Sequence, residues 1–88
     1  MTEQKVTITN RAGIHARPAA ILVQATKDFN CNIHFERGND RINAKSIMGI
    51  ITLGAAYGTE ITIIADGEGE EKAVETLVRL FKSKFEEE

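Results

Sequence analysis

The stretch KVTITNRAGIHARPAAILVQATKDF, residues 5–29, changes its hydrophobic period near Pro18. Val6 and Ile8 alternate with polar neighbours, which is the period-two pattern of a strand with one buried face. Proline lacks an N–H and is tolerated in a first helical turn, so a helix is predicted to begin within a residue or two of His15. Its inward face recurs at helical spacing: Ala19, Leu22, Val23, Thr26 and Phe29.

Three further strands are predicted after this helix. The segments NIHFE and INA flank the turn signal RGNDR, residues 37–41, and together predict a hairpin. The segment EITIIA, residues 60–65, is the most apolar strand and is followed by the breaker DGEG. A strand that is apolar on both faces is expected at the centre of the sheet.

Two more helices are predicted. The segment AKSIMGIITLG, residues 44–54, reads as a short helix with Ser46 as its N-cap and Gly54 as its end. The last helix is predicted from Glu70 to about Phe85, with Lys82 and Lys84 in its final turn: its inward stripe is Val74, Leu77, Phe81 and Phe85. The element order is therefore β-α-β-β-α-β-α.

This order and the short chain predict an α+β fold. A chain of 88 residues is long enough for an open-faced sandwich, because an antiparallel sheet can have helices on one face and leave its other face exposed to water. With 42% hydrophobic residues, the chain is expected to form one domain over residues 1–88, with a single core.

Several classes of protein are excluded by composition. No apolar run approaches the roughly 20 residues of a membrane span, and the polar start MTEQK has no signal-peptide pattern, so a cytoplasmic protein is expected. Cys31 is the only cysteine, which excludes an internal disulfide and a cysteine metal cluster. Gly49 and Gly54 have spacing like that of a P-loop, but Ala55 and Ala56 follow instead of Lys and Ser or Thr. No nucleotide, metal or other cofactor is expected.

Charge is divided unevenly along the chain. Residues 1–58 hold seven basic and four acidic side chains, whereas residues 59–88 hold four basic and nine acidic ones. The cationic part contains GIHARPAA, residues 13–20, and suits an acidic protein surface or a phosphoryl group. The excess of positive charge is too weak to indicate nucleic-acid binding.

The segment GIHARPAA places reactive and cationic groups at a helix start. With His15 as the N-cap, the backbone N–H groups of Ala16 and Arg17 have no helical acceptor and form an anion site with the helix dipole. The same positive end disfavours imidazolium, so a neutral ring is expected to attack phosphorus, with Arg17 stabilising the resulting anion. Ordinary roles also fit, since histidine can cap a helix and Arg17 can be a solvated first-turn residue.

The short helix that follows Ser46 is apolar on most sides. Ile47, Met48 and Ile51 are expected to face solvent as a docking surface, while Ile50 and Leu53 turn inward. The alternative is that the whole set belongs to the core. Ser46 itself needs no role beyond capping.

At this point the sequence resembles the HPr family, the histidine-containing phosphocarriers of the bacterial sugar phosphotransferase system. GIHARPAA resembles the phosphorylation-site motif of the family, and AKSIMGIITLG resembles its second signature around a regulatory serine. The resemblance covers essentially the whole chain. It implies the HPr-like open-faced β-sandwich, with sheet order 1-4-2-3 and three helices on one face.

The resemblance also implies functional roles. His15 would accept a phosphoryl group through Nδ1 from phosphorylated enzyme I, which phosphoenolpyruvate charges, and would pass it to a sugar-specific enzyme IIA. Arg17 would neutralise phosphate charge, and no independent catalytic activity is expected. The helix after Ser46 would contact these partners together with Gln24 and Lys27. Phosphorylation of Ser46 by an HPr kinase/phosphorylase would make the protein a co-regulator of a catabolite repressor.

Two other readings stay open. One alternative hypothesis is an HPr paralogue that acts mainly as a regulatory binding protein, in catabolite repression or in a nitrogen-related phosphorelay. The intact pair His15 and Arg17 argues against a carrier that has lost its site. A small RNA-binding domain would need aromatic residues on the strands for base stacking, and Phe35 alone is available. A carrier that docks on successive partners is expected to be a monomer.

Overall fold

The computed structural model describes residues 1–86 and confirms the predicted element order. The elements are β1 (Thr2–Thr7), α1 (Ala16–Thr26), β2 (Asn32–Arg37), β3 (Asp40–Asn43), α2 (Ile47–Leu53), β4 (Glu60–Asp66), α3 (Glu70–Lys82) and a final 3₁₀ turn (Lys84–Glu86). The four strands form one antiparallel sheet in the order β1-β4-β2-β3. The expected open-faced α+β architecture is therefore confirmed.

The strand β4 lies at the centre of the sheet, between β1 and β2. Its residue Ile61 is opposite Val6 of β1, and its residue Ile63 is opposite Phe35 of β2. All four of these side chains are buried. The most apolar predicted strand therefore has the expected central position, in which both of its edges are hydrogen-bonded to other strands.

The core lies between the sheet and the three helices. It takes Leu22 from α1, Ile50 from α2 and Leu77 from α3, each 1% exposed or less. Phe81 of α3 packs edge-to-face on Phe35 of β2, with ring centroids 5.8 Å apart. The helix that begins after His15 is thus anchored on the sheet through its inward face.

The end of α3 differs from the sequence prediction. The helix stops at Lys82 rather than near Phe85, so its last turn holds Arg79 and Lys82, and Lys84 lies beyond it. Lys84 and Phe85 adopt left-handed backbone conformations, with φ of 56° and 57°. This turn buries Phe85 and brings its ring edge-to-face onto Phe81 at 5.0 Å. Burial of an aromatic side chain, worth about 2 kcal/mol or more, offsets the unfavourable backbone.

The amino terminus of β1 is tied to the start of α3. The Glu70 carboxylate accepts a hydrogen bond from the Thr2 hydroxyl at 2.6 Å and lies 2.9 Å from the terminal amine of Met1. The backbone N–H of Gly67 also donates to it, at 3.1 Å. The hydrogen bond from Thr2, then those from the amine and from Gly67, lower the pKa of Glu70 from 4.5 to about 2.

This contact predicts a pH dependence of stability. Because the folded-state pKa of Glu70 is depressed, its contacts add to the free energy of unfolding above about pH 4.5. This contribution is lost as pH falls toward about 2. Glu70→Gln should therefore lower the free energy of unfolding at pH 7 and flatten its decline between those two pH values. Urea unfolding at several pH values measures both effects. Glu75→Gln is the matched control, since its exposed pair with Arg79 should contribute little.

Candidate functional site

The loop between β1 and α1 presents His15 at the surface. A turn over residues 10–13 is closed by a 3.0 Å hydrogen bond from the Gly13 N–H to the Asn10 carbonyl. Gly13 has a φ of 72°, a left-handed conformation that glycine adopts without steric strain. The next residue, Ile14, is buried and donates its N–H to the Ala55 carbonyl at 2.9 Å. His15 therefore follows an anchored backbone.

His15 is the N-cap of α1, as the position of Pro18 predicted. Its backbone is extended, with φ −102° and ψ −167°, and its carbonyl accepts the first helical hydrogen bond from Ala19 at 3.0 Å. The N–H groups of Ala16 and Arg17 precede that first bond and have no acceptor within the helix. Pro18 has no N–H at all. Two backbone donors and the positive end of the helix dipole thus adjoin the imidazole.

The three residues of the predicted phosphoryl site lie together in the first turn of α1. His15, Ala16 and Arg17 are all exposed, so an incoming protein can reach the ring and the guanidinium. Pro18 and Ala19, which follow them, are buried and fix the helix to the core. The site is a shallow surface arrangement on a rigid support, which suits a group that must be received and then released.

The helix α2 carries the second motif. Ser46 is its N-cap, and the Ser46 Oγ accepts the Gly49 N–H at 3.1 Å. Gly54 ends it in a left-handed conformation, with φ 63°. Ser46 is half-buried, which leaves its hydroxyl partly accessible. Both predicted ends of this helix are confirmed.

Three apolar side chains of α2 are exposed and form a surface that we call the α2 patch. Ile47 is 43% exposed, Met48 67% and Ile51 37%, whereas Ile50 and Leu53 are buried. The division between outward and inward side chains is as the sequence predicted. Apolar groups held in water by a short helix are typical of a protein contact surface.

Gln24 and Lys27 lie on α1 and at its C-cap, and both are exposed. Gln24 is seven residues after Arg17, so it lies two turns along the same face of the helix. It also lines a groove of about 720 Å³ between α1 and α3, which Ile21 and Leu80 share. Gln24 therefore borders both the exposed face of α1 and the groove toward α3.

The segment after α2 supports the His15 loop. A Cβ atom added at Gly13 would lie 2.9 Å from the Ala55 carbonyl oxygen and 3.0 Å from the Ala56 Cα. At the other side, the Ile8 N–H donates to the Thr59 carbonyl at 2.9 Å, and the Gly58 N–H donates to the Ile8 carbonyl at 2.8 Å. We call residues 55–59 the support loop. It links the end of α2 to the backbone that carries His15.

Two residues near the site were not identified from the sequence. Tyr57 is 63% exposed on the support loop. Asn10 was given no role, yet it is 1% exposed. A signal for Asn10 was present, since it continues the inward series of Val6 and Ile8 at the next alternate position.

Two further observations concern the described part of the chain. Among residues 1–86, no three His, Cys, Asp or Glu side chains come together as a group that could hold a metal ion. In the same range, no helix is both long and apolar enough to span a bilayer.

Comparison with known proteins places the chain. The family model described as the PTS HPr component phosphorylation site matches residues 2–83. The chain belongs to the HPr family. The phosphocarrier protein HPr of Treponema pallidum is 46% identical over 88 residues, covering 100% of both chains. The HPr-like protein Crh of Bacillus subtilis is 44% identical over 77 residues, covering 88% of this chain and 91% of Crh.

Solved HPr structures share this fold. A crystal structure of HPr from Thermoanaerobacter tengcongensis is 46% identical, covers 100% of this chain and 99% of its own, and superposes with a TM-score of 0.96. A crystal structure of an HPr dimer from the same organism gives a TM-score of 0.77 at 46% identity, covering 97% of this chain and 98% of its own. The expectation of a monomer is not confirmed, because that relative is dimeric. The members of this family are phosphocarrier proteins of the phosphotransferase system, which carry phosphoryl groups rather than catalyse reactions.

Proposed function

We propose that this HPr protein accepts a phosphoryl group on His15 from phosphorylated enzyme I and passes it to a sugar-specific enzyme IIA. The observation that carries the proposal is the position of an exposed imidazole at the N-cap of α1, beside the N–H groups of Ala16 and Arg17. Membership of the HPr family supports action in the cytoplasm. The proposed transfer requires no metal or cofactor of this chain, since the donor protein supplies the phosphoryl group.

The transfer is a substitution at phosphorus. The Nδ1 lone pair of His15 forms an N–P bond while the bond from phosphorus to the donor breaks, and the donor keeps that electron pair. Charge on the phosphoryl oxygens is stabilised by the backbone donors of Ala16 and Arg17 and by the guanidinium of Arg17. The site leaves the phosphoryl group accessible, because these residues are exposed, so the reverse steps can deliver it to enzyme IIA.

Labelling with phosphoenolpyruvate tests this function. The chain is incubated with enzyme I and radiolabelled phosphoenolpyruvate, and then separated from both. We expect label on the chain that is lost in acid and retained in alkali, as a phosphohistidine requires, and that depends on enzyme I. Absence of label, under conditions where a known HPr becomes labelled, would contradict the proposal.

The docking surface for these partners is proposed to be the α2 patch, with Gln24 and Lys27. These residues combine the exposed apolar area of α2 with exposed polar and positively charged side chains of α1 and its C-cap. An acidic partner with an apolar centre would match them, since opposite charge accelerates encounter and apolar area contributes affinity.

Ser46 is proposed to be a regulatory phosphorylation site, modified by an HPr kinase/phosphorylase and then recognised by a catabolite repressor. Its hydroxyl is half-buried at the N-terminus of α2, where a phosphate would be electrostatically tolerated. The effect would fall on docking instead, because the new dianion adjoins Ile47 and Met48.

Ser46→Asp is expected to slow phosphoryl acceptance from enzyme I about tenfold, because a carboxylate beside the α2 patch repels an acidic partner. The measurement is the second-order rate constant for transfer to His15. Ser46→Asn is the matched control, since asparagine caps a helix equally well and carries no charge. Equal rates for the two variants would show that charge at this position does not control docking.

A second candidate function is that of a regulatory binding protein that acts mainly through Ser46. The observation that favours it is the 44% identity to the HPr-like protein Crh of Bacillus subtilis. The labelling experiment separates the two candidates. A regulatory protein of this kind would gain phosphate at Ser46 from ATP and a kinase while taking none from enzyme I.

A further inference from the structure

We propose that Asn10 is a positioning residue for phosphoryl transfer at His15, an inference that rests on the proposed function. The side chain of Asn10 is 1% exposed and lies in the loop that precedes α1. Its Nδ2 donates a hydrogen bond to the Gly13 carbonyl at 2.6 Å. Within residues 1–86, its Oδ1 is buried without a hydrogen-bond partner.

The turn over residues 10–13 is closed twice by the same residue. The Asn10 carbonyl accepts the Gly13 N–H at 3.0 Å, and the Asn10 side chain donates to the Gly13 carbonyl. Both polar groups of the Gly13 backbone are therefore held by Asn10. The direction in which the chain leaves Gly13 sets the path of Ile14 and His15, the next two residues.

The two ends of the loop are fixed by backbone hydrogen bonds instead. Ile8 exchanges two of them with the support loop, at 2.9 and 2.8 Å, and Ile14 donates to Ala55 at 2.9 Å. These bonds leave the residues between Ile8 and Ile14 to be ordered by other contacts. The Asn10 side chain supplies one from inside the loop, where solvent cannot replace it.

The burial of Asn10 is unfavourable unless its amide is used. A buried carbonyl oxygen without a partner destabilises a fold, and an apolar side chain at the same inward position would avoid that penalty. The hydrogen bond from Nδ2 therefore points to a requirement for turn geometry more than for stability. Transfer needs such geometry, because displacement of a reacting group by about 1 Å can slow a reaction about 100-fold.

Asn10→Ala is the variant that tests this role. With the chain as the substrate of enzyme I, we expect kcat for phosphoryl transfer to fall about tenfold or more. KM for the chain should not change, because the substitution leaves the α2 patch unaltered. Thr26→Val is the matched control. Thr26 is the other buried polar residue of the described chain, and its hydroxyl donates to the Val23 carbonyl at 2.7 Å near the far end of α1. The Thr26→Val variant should be less stable than the wild type, with an unchanged kcat for transfer from enzyme I.

A second variant and a second readout guard against a folding defect. Asn10→Asp keeps the side-chain shape but places a carboxylate oxygen against the Gly13 carbonyl, so the same fall in kcat is expected. In nuclear magnetic resonance spectra of the unmodified proteins, both Asn10 variants should shift the amide resonances of Ala16 and Arg17, whereas Thr26→Val should not.

The outcomes distinguish this inference from the proposed function. An unchanged kcat in folded Asn10 variants, or an equal fall in Thr26→Val, would overturn the positioning role. Unlabelled wild-type protein would overturn the proposed function instead. In that case the amide resonances of Ala16 and Arg17 test only whether Asn10 orders the start of α1: unshifted resonances in the Asn10 variants would overturn that structural role as well, and shifted ones would support it without a role in transfer.

Discussion

Replacement of His15 by alanine is expected to abolish acid-labile labelling by enzyme I and phosphoenolpyruvate. The imidazole supplies the lone pair that attacks phosphorus, and no neighbouring side chain of the first turn can substitute for it. The Arg17 guanidinium offers only N–H donors, and the methyl side chain of Ala16 has no nucleophilic atom. The backbone donors of the turn remain in place, but they only stabilise charge and cannot form the covalent bond. Label should therefore fall to background rather than by a fraction.

The second histidine of the chain provides the matched control. His34 lies on β2, half-buried, and pairs across the sheet with Asn43 and Ile64. It is not part of the α1 start, so His34→Ala should keep full labelling. Circular dichroism and thermal unfolding should show folded protein for His15→Ala, since the exposed ring contributes little to the core. Persistent acid-labile label in His15→Ala, or its loss in His34→Ala, would place the acceptor elsewhere.

Much of the fold could be predicted because its signals are local. The alternation of Val6 and Ile8 indicates a half-buried strand, and the capping residues Ser46 and Gly54 define both ends of α2. The apolar content of β4 indicates its central place. Each of these signals depends on neighbours within a few residues, which a single sequence displays.

The errors fall where the position of a side chain depends on its burial in the tertiary structure, which local periodicity does not display. The left-handed turn at Phe85 forms because the ring packs on Phe81 at 5.0 Å, and helical periodicity does not foretell that turn. The sequence singles out His15, Arg17 and Ser46 through their motifs, whereas the alternation that marks Asn10 as inward does not reveal that its amide binds Gly13.

The site is therefore held by two segments that are distant in sequence. The motif supplies the imidazole and the helix start, while the support loop supplies the acceptor for Ile14 and the backbone against which Gly13 packs. Because the support loop follows α2 directly, the proposed docking helix and the proposed phosphoryl site share one scaffold. A change at their point of contact should affect both stability and transfer.

Gly13→Ala is the change that tests this contact most strongly. The new methyl group would lie 2.9 Å from the Ala55 carbonyl oxygen and 3.0 Å from the Ala56 Cα, so one of the two backbones must move. The left-handed φ of 72° adds its own penalty for a residue with a Cβ. We expect the free energy of unfolding to fall by about 2–4 kcal/mol in sum. The rate of transfer to His15 should fall about tenfold or more even in fully folded protein.

Gly38→Ala separates the two causes. Gly38 lies in the β2–β3 turn with a φ of 58°, and a Cβ added there meets no atom within 4 Å. The Gly38→Ala variant should lose only about 1 kcal/mol of its free energy of unfolding and keep its transfer rate. It has the unfavourable left-handed backbone, but its new methyl group meets no other atom. Urea unfolding and single-turnover transfer from enzyme I measure the two quantities on each variant. Equal losses of stability at Gly13 and Gly38, with equal transfer rates, would mean that the support loop yields to the methyl group at no cost. In that event the close approach of Gly13 to Ala55 would have no part in holding His15.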